Sequence, residues 1–206
     1  NEWYHIGATS DHTGTKIYIN GALAGTGSRA TETGWGLGIG QHAGDTGFNG
    51  LIDDVRIYNR ALSSYEIELI FTTEFDDIYK MDKGPSSIYL DDSDNNEVHG
   101  NTILGSTTSA RTQTVSAPTN GLIGHWKFDE GKGNKASDSS GRGYHGAITD
   151  CTWVPGRRGQ ALQFHGTSSQ VLVPNAASRT MDADAFTICA WTQTRHRNAV
   201  STSKTP

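Results

Sequence analysis

Phe48-Asn49-Gly50-Leu51-Ile52-Asp53-Asp54-Val55-Arg56-Ile57-Tyr58-Asn59-Arg60-Ala61-Leu62-Ser63-Ser64-Tyr65-Glu66-Ile67 is the stretch whose reading decides the fold. A glycine turn releases an alternating segment, Val55 and Ile57 on one face and Arg56 and Tyr58 on the other, as a half-buried strand requires. Leu51 and Ile52 are out of phase with Val55 and Ile57. One irregularity, a bulge or a twist, is therefore expected near the two aspartates. Ser63 followed three residues later by Glu66 is a capping box, and Ile67, Leu69, Ile70 and Phe71 supply the apolar side of one or two helical turns. The strand should close a sheet and run into a short capped helix.

Upstream, Trp3 to Thr9 reads as a strand, and Thr15 to Ile19 alternates into Asn20-Gly21, a pair suited to the two positive φ angles of a tight hairpin turn. Leu37-Gly38-Ile39-Gly40 is a further short strand. Downstream, from Thr73 to Asn120, the pattern weakens, and Ser106 to Thr119 has linker composition. Asp91-Asp92-Ser93-Asp94-Asn95-Asn96-Glu97 reads as a solvated turn, because Glu97 stands where a calcium loop needs glycine. A new pattern opens at Gly121. It contains Trp126-Lys127-Phe128-Asp129-Glu130-Gly131, the turn-rich run from Asp138 to Gly146, Gly159-Gln160-Ala161-Leu162-Gln163-Phe164-His165-Gly166 and Phe186-Thr187-Ile188-Cys189-Ala190-Trp191.

These motifs resemble the LamG-like (laminin G type, concanavalin A-like) jelly-roll family, and they do so in an unusual order. The run from Gly50 to Ile67, with the strands before it, is similar to the closing half of such a domain, and the motifs from Gly121 onward are similar to its opening half. The resemblance implies an all-β fold, an antiparallel jelly-roll β-sandwich with its halves in permuted order: residues 1–72 the closing half, 73–120 a linker or insert, and 121–206 the opening half. Two arrangements are open. The halves complete one another within the chain, or each pairs with a half from a neighbouring chain. Both require Leu51 to Tyr58 to pair with Leu122 to Phe128, strands that are adjacent in the resembled family. Because the sequence opens without a methionine and stops without a terminating pattern, it reads as a segment of a longer protein.

Composition narrows the function. With 34% hydrophobic residues, 25 glycines and no run long enough for a membrane span, the chain suits many short strands and turns. A net charge of -5 without clustered Lys and Arg disfavours nucleic acid. Cys151 and Cys189 either pair in a disulfide or pack as small hydrophobes. Glycoside hydrolysis needs two carboxylates on one face, whereas Asp53-Asp54 and Asp129-Glu130 are adjacent and project to opposite faces. No nucleophile elbow, zinc pair or phosphate loop occurs. The eight histidines read as surface or turn residues.

The resemblance implies a structural calcium ion at the rim as a candidate cofactor, with Asp53, Glu130 and Asp138 as its ligands; the other reading is that Asp138 caps its own Ser-Gly turn by an Asx bond and Glu130 is solvated. Trp3, Trp126, Trp153 and Trp191 read as core, while Trp35, flanked by Gly34 and Gly36, is the candidate ligand-binding indole. The function implied is a non-catalytic extracellular binding or adhesion module with a carbohydrate or protein ligand, within a larger multidomain protein. The alternative is a structural subunit of a filament or surface array, self-associating by strand exchange between complementary half-domains.

Overall fold

The computed structural model describes residues 2–28, 37–41, 47–73, 116–166, 168–173 and 185–194. Trp35, the acidic run 91–97 and most of the linker lie outside the described residues.

Alternation and turn chemistry make β1 (Tyr4–Asp11), β2 (Gly14–Ile19) and β3 (Ala22–Gly27) a meander. Its second turn is the Asn20-Gly21 pair, with φ of 50° and 79°. After β4 (Gly38–Ile39) comes the deciding strand, β5 (Asn49–Tyr58), and then α1 (Ser64–Thr73). The remaining strands are β6 (Leu122–Trp126), β7 (Lys135–Ala136), β8 (Gly146–Thr149), β9 (Thr152–Pro155), β10 (Gln160–His165), β11 (Gln170–Leu172) and β12 (Phe186–Thr194). They form two antiparallel sheets, one in the order β3-β2-β1-β12-β5-β10-β9 with β6 also on β5, the other in the order β4-β11-β8-β7.

β5 is the hub of the larger sheet. One edge pairs with β12; along the other, β10 takes Asn49 to Ile52 and β6 takes Val55 to Tyr58. The expected pairing of Leu51–Tyr58 with Leu122–Phe128 is formed over part of its length, between Val55–Tyr58 and Leu122–Trp126, in the register Val55 opposite Trp126 and Ile57 opposite Gly124, while Leu51 and Ile52 pair with β10 instead. The expected irregularity falls where one partner hands over to the other. Arg56 faces Cys189 but Asp53 faces Trp191, so three steps on β5 answer two on β12, and Asp54 takes up the extra residue at φ 48°. That bulge returns Ile52 to the face of Val55 and Ile57, and all three are buried.

The sandwich core lies between the sheets, built on Ile52, Val55, Ile57, Ile123, Trp126, Phe128, Leu162, Phe164, Val171 and Val173. Gly124 matters here because the Trp126 indole lies where its Cβ would be, and that indole donates to Tyr144 O at 2.9 Å. Trp153 is half-buried, its indole N–H donating to Gly133 O at 2.9 Å.

β5 departs from a half-buried strand. Its second face is covered too, because α1 lies across the outside of the larger sheet and packs Leu62, Ile67 and Ile70 against Tyr18, Tyr58 and Cys189. The capping box forms as read: Ser63 N–H donates to Glu66 Oε2 at 2.9 Å, and Glu66 N–H donates to Ser63 Oγ at 3.3 Å. Arg60 grips the same carboxylate at 2.9 and 2.5 Å, and the helix runs ten residues rather than one or two turns. Cys151 and Cys189 do not pair in a disulfide: Cys189 is buried under α1, whereas Cys151 packs on the sandwich core.

Candidate functional site

The β5 bulge sets the stage by turning two neighbouring carboxylates toward different partners. Asp53, 2% exposed, accepts the backbone N–H groups of Arg157 and Arg158 at 2.8 and 3.3 Å. Asp129 accepts Gln160 N–H at 3.1 Å from the far end of the same β9–β10 turn. The two aspartates clasp this turn, and Gly156 and Gly159 are needed in it because a Cβ on either would run into the carboxylates. Burial pushes the Asp53 carboxyl up to about 7, against the pull of its two backbone donors. Asp54 instead pairs with Arg56 at 2.9 Å and with His125, whose Nε2 donates to the Asp54 carboxylate.

The three residues expected to share a calcium ion are each engaged separately. Asp138 accepts N–H groups from His125, Ser140 and Tyr144 at 2.8 to 3.0 Å, and these bonds, working against its burial, hold its carboxyl below the usual range. Glu130 Oε1 accepts Ser137 N–H at 2.6 Å, while its Oε2 is buried and meets no donor among the described residues. Among those residues no group of three or more His, Cys, Asp and Glu side chains is placed to hold a metal ion.

Two histidines depart from the surface reading. His125 is 9% exposed in the Asp54–Arg56 cluster, and His5 is 1% exposed. The His5 ring lies 5.4 Å from the Trp191 ring and 6.0 Å from that of Phe71, and neither of its nitrogens has a hydrogen-bond partner among the described residues. Burial pushes its pKa down to about 4; Arg56 acts in the same direction and Asp54 against it. The sequence signal for His5 is parity alone: it alternates with Gly7 and Thr9, both buried, on the face of β1 that α1 covers.

Above His5 a shallow depression of about 370 Å³ opens, lined by Glu2, Trp3, Tyr4, Asn20, Phe71, Arg157 and Trp191. Trp191 is its buried floor, with the Arg157 guanidinium 4.9 Å above the ring centroid. Tyr4, 40% exposed, donates from its hydroxyl to Glu2 at 2.9 Å. Trp3 is half-buried at the wall, so the reading of it as core is corrected: as the residue before β1, it has no covering layer of its own. Aromatic faces beside a guanidinium, an amide and a carboxylate can stack on a ligand's apolar face and hydrogen-bond its rim.

Residues 1–68 match the family model described as the Concanavalin A-like lectin/glucanases superfamily, of laminin G type. No curated protein and no solved structure matches the chain. The matched segment runs from β1 into α1, and later strands pair with it in both sheets, β6, β10 and β12 in the larger and β11 in the smaller. The chain therefore folds as an all-β antiparallel sandwich whose residues 1–68 are similar to the laminin G type of the concanavalin A-like superfamily.

Proposed function

We propose that the chain is a non-catalytic binding module of an extracellular multidomain protein, taking a carbohydrate in the depression between Trp3 and Trp191. The observation that carries this is the lining itself: Trp3, Tyr4, Phe71 and Trp191 with Arg157, Asn20 and Glu2 at one shallow site. Shallow aromatic surfaces with a few polar groups suit the alternating apolar faces and hydroxyl rims of sugars. LamG-like domains are commonly binding modules, in keeping with this role. Against catalysis stands the placing of the carboxylates. Asp53, Asp129, Glu130 and Asp138 are engaged by backbone N–H groups, Asp54 by Arg56 and His125, and Glu2 is the single carboxylate in the depression's lining. Strand exchange between neighbouring chains has less to drive it, since both edges of β5 are already filled from its own chain.

Titration of a panel of neutral and acidic oligosaccharides, followed by calorimetry, tests the assignment. Trp3→Ala should weaken the best binder about tenfold, the loss of one aromatic contact, with an unchanged melting temperature. No binding by any sugar, or binding indifferent to Trp3 and Tyr4, would refute it. Calcium held by Asp53, Glu130 or Asp138 is a separate proposal, supported by the unpartnered Glu130 Oε2. A melting temperature that rises from chelator to excess calcium supports it, and one that stays constant removes it.

A further inference from the structure

The larger sheet is wider than the layer that covers it. A row of cross-strand neighbours runs Ile57, Ile188, Ala8, Ile17, Gly25, and directly paired residues put their side chains on one face. Burial falls off along the row, from Ile57 at 1% exposed to Ile17 at 38%. The next row, Ala190, Ile6, Ile19, Ala22, ends the same way, with Ile19 at 41%. The sandwich core, as formed by the described residues, reaches as far as Ile188 and Ala190 and does not include Ile6, Ala8, Ile17 or Ile19. On their opposite face β1 and β2 bury His5, Gly7, Thr9 and Tyr18, three of which are polar or small. The usual pattern is thereby inverted on β1: its aliphatic side chains form the more exposed set, although a strand's apolar face is the one that seeks cover.

We propose that this face, carried by Ile6, Ala8, Ile17 and Ile19, docks a second copy of the chain, sheet against sheet. The occupant follows from charge. A two-fold contact sets a patch against itself, so any charged group near the axis meets its like. From β12 to β3 the inward positions are Phe186, Ile188, Ala190 and Thr192, then Tyr4 to Ser10 at alternate residues, then Thr15, Ile17 and Ile19, then Ala22 and Gly25. None is charged at neutral pH, in a chain whose net charge of -5 otherwise keeps copies apart. The outer edge of β3, Ala22–Gly27, which pairs with no strand among the described residues and is uncharged and free of proline, borders the patch. Strands about 4.8 Å apart, with same-face residues about 6.8 Å apart, make the patch roughly 300 Å². That is well under the roughly 800 Å² per partner of a standard interface, so the dimer is weak and forms at high concentration.

The test is sedimentation equilibrium of the full chain over a concentration series from about 5 to 500 μM, beside Ile17→Asp, Ile19→Thr and, on the opposite face of β2, Lys16→Glu. The mass should climb from 22.2 kDa toward twice that value for the unaltered chain and for Lys16→Glu. Ile17→Asp should stay monomeric with an unchanged melting temperature, and Ile19→Thr should raise the dissociation constant severalfold. A constant 22.2 kDa at every concentration would overturn the proposal. So would Ile17→Asp associating as strongly as the unaltered chain, which puts the contact elsewhere, or failing to fold, which means that the chain's own residues cover the face.

Discussion

His5 and Asp53 are two buried titratable groups whose protonation pulls stability in opposite directions. His5 titrates at about 4 in the folded chain against an ordinary value of 6.5, so between those limits the unfolded chain binds the extra proton. Its contribution to stability therefore falls as the pH drops through that window. Asp53 titrates at about 7 against an ordinary 3.8, so the folded chain holds the extra proton and stability rises as the pH drops from 7 toward 4. Thermal melts across this range should separate the two. His5→Leu leaves Asp53 unopposed and should gain stability on acidification; Asp53→Asn leaves His5 unopposed and should lose on the order of 3 kcal/mol between pH 6.5 and 4. Parallel pH curves for His5→Leu and the unaltered chain would contradict the burial of a neutral imidazole. Neither group was legible in the sequence. In Trp3 to Thr9 the apolar Ile6 and Ala8 point to the less covered face, so hydrophobicity misdirects the eye from His5. Asp53 reads as a cation ligand in the sequence, and only the path of the Arg157-Arg158 turn reveals that it also accepts two backbone donors.

Among the elements, β5 and α1 were the most legible because each carries a local contradiction that only one geometry resolves. The phase break between Ile52 and Val55 forces a bulge, and the structure places it at Asp54. Ser63 and Glu66 fix the start of α1, but its length and its role were hidden, since a helix covering the outer face depends on tertiary contacts. Ile67 and Ile70 are 0% exposed beneath it, and Tyr65 is 65% exposed on its far side. Alanine at Ile67 or Ile70 should cost about 3 kcal/mol in denaturant unfolding. Ser63→Ala should cost about 1 kcal/mol through the lost cap, and Tyr65→Ala should stay within about 0.5 kcal/mol. Equal losses at Tyr65 and Ile70 would mean that α1 does not dock as described. The Asx cap of Asp138 on its own Ser-Gly turn is local and was legible, and it forms through Ser140 N–H. The bonds from His125 and Tyr144 to Asp138 and from Ser137 to Glu130 depend instead on turn courses that the sequence does not specify.

At the scale of the whole molecule, one strand from the first third of the sequence draws all its partners, β6, β10 and β12, from residues 122–194. β5 lies between β12 on one side and β10 and β6 on the other, while β1 completes the line beyond β12. Strands that precede and follow the middle of the chain share a single sheet and a single core, and Ile57, from the earlier group, faces Ile188 and Gly124 of the later one. Whether the two halves would meet in one chain or in two was the question that residue pattern left open, because strand chemistry is the same in either case. An isotope-filtered nuclear Overhauser measurement settles it most directly. In uniformly labelled protein, cross-strand contacts should appear between Val55 and Trp126 and between Ile57 and Gly124. In an equal mixture of labelled and unlabelled chains refolded together, the filtered spectrum should lack them. Contacts between β5 and β6 that persist between differently labelled chains, or that are missing from both samples, would contradict a sandwich closed within one chain.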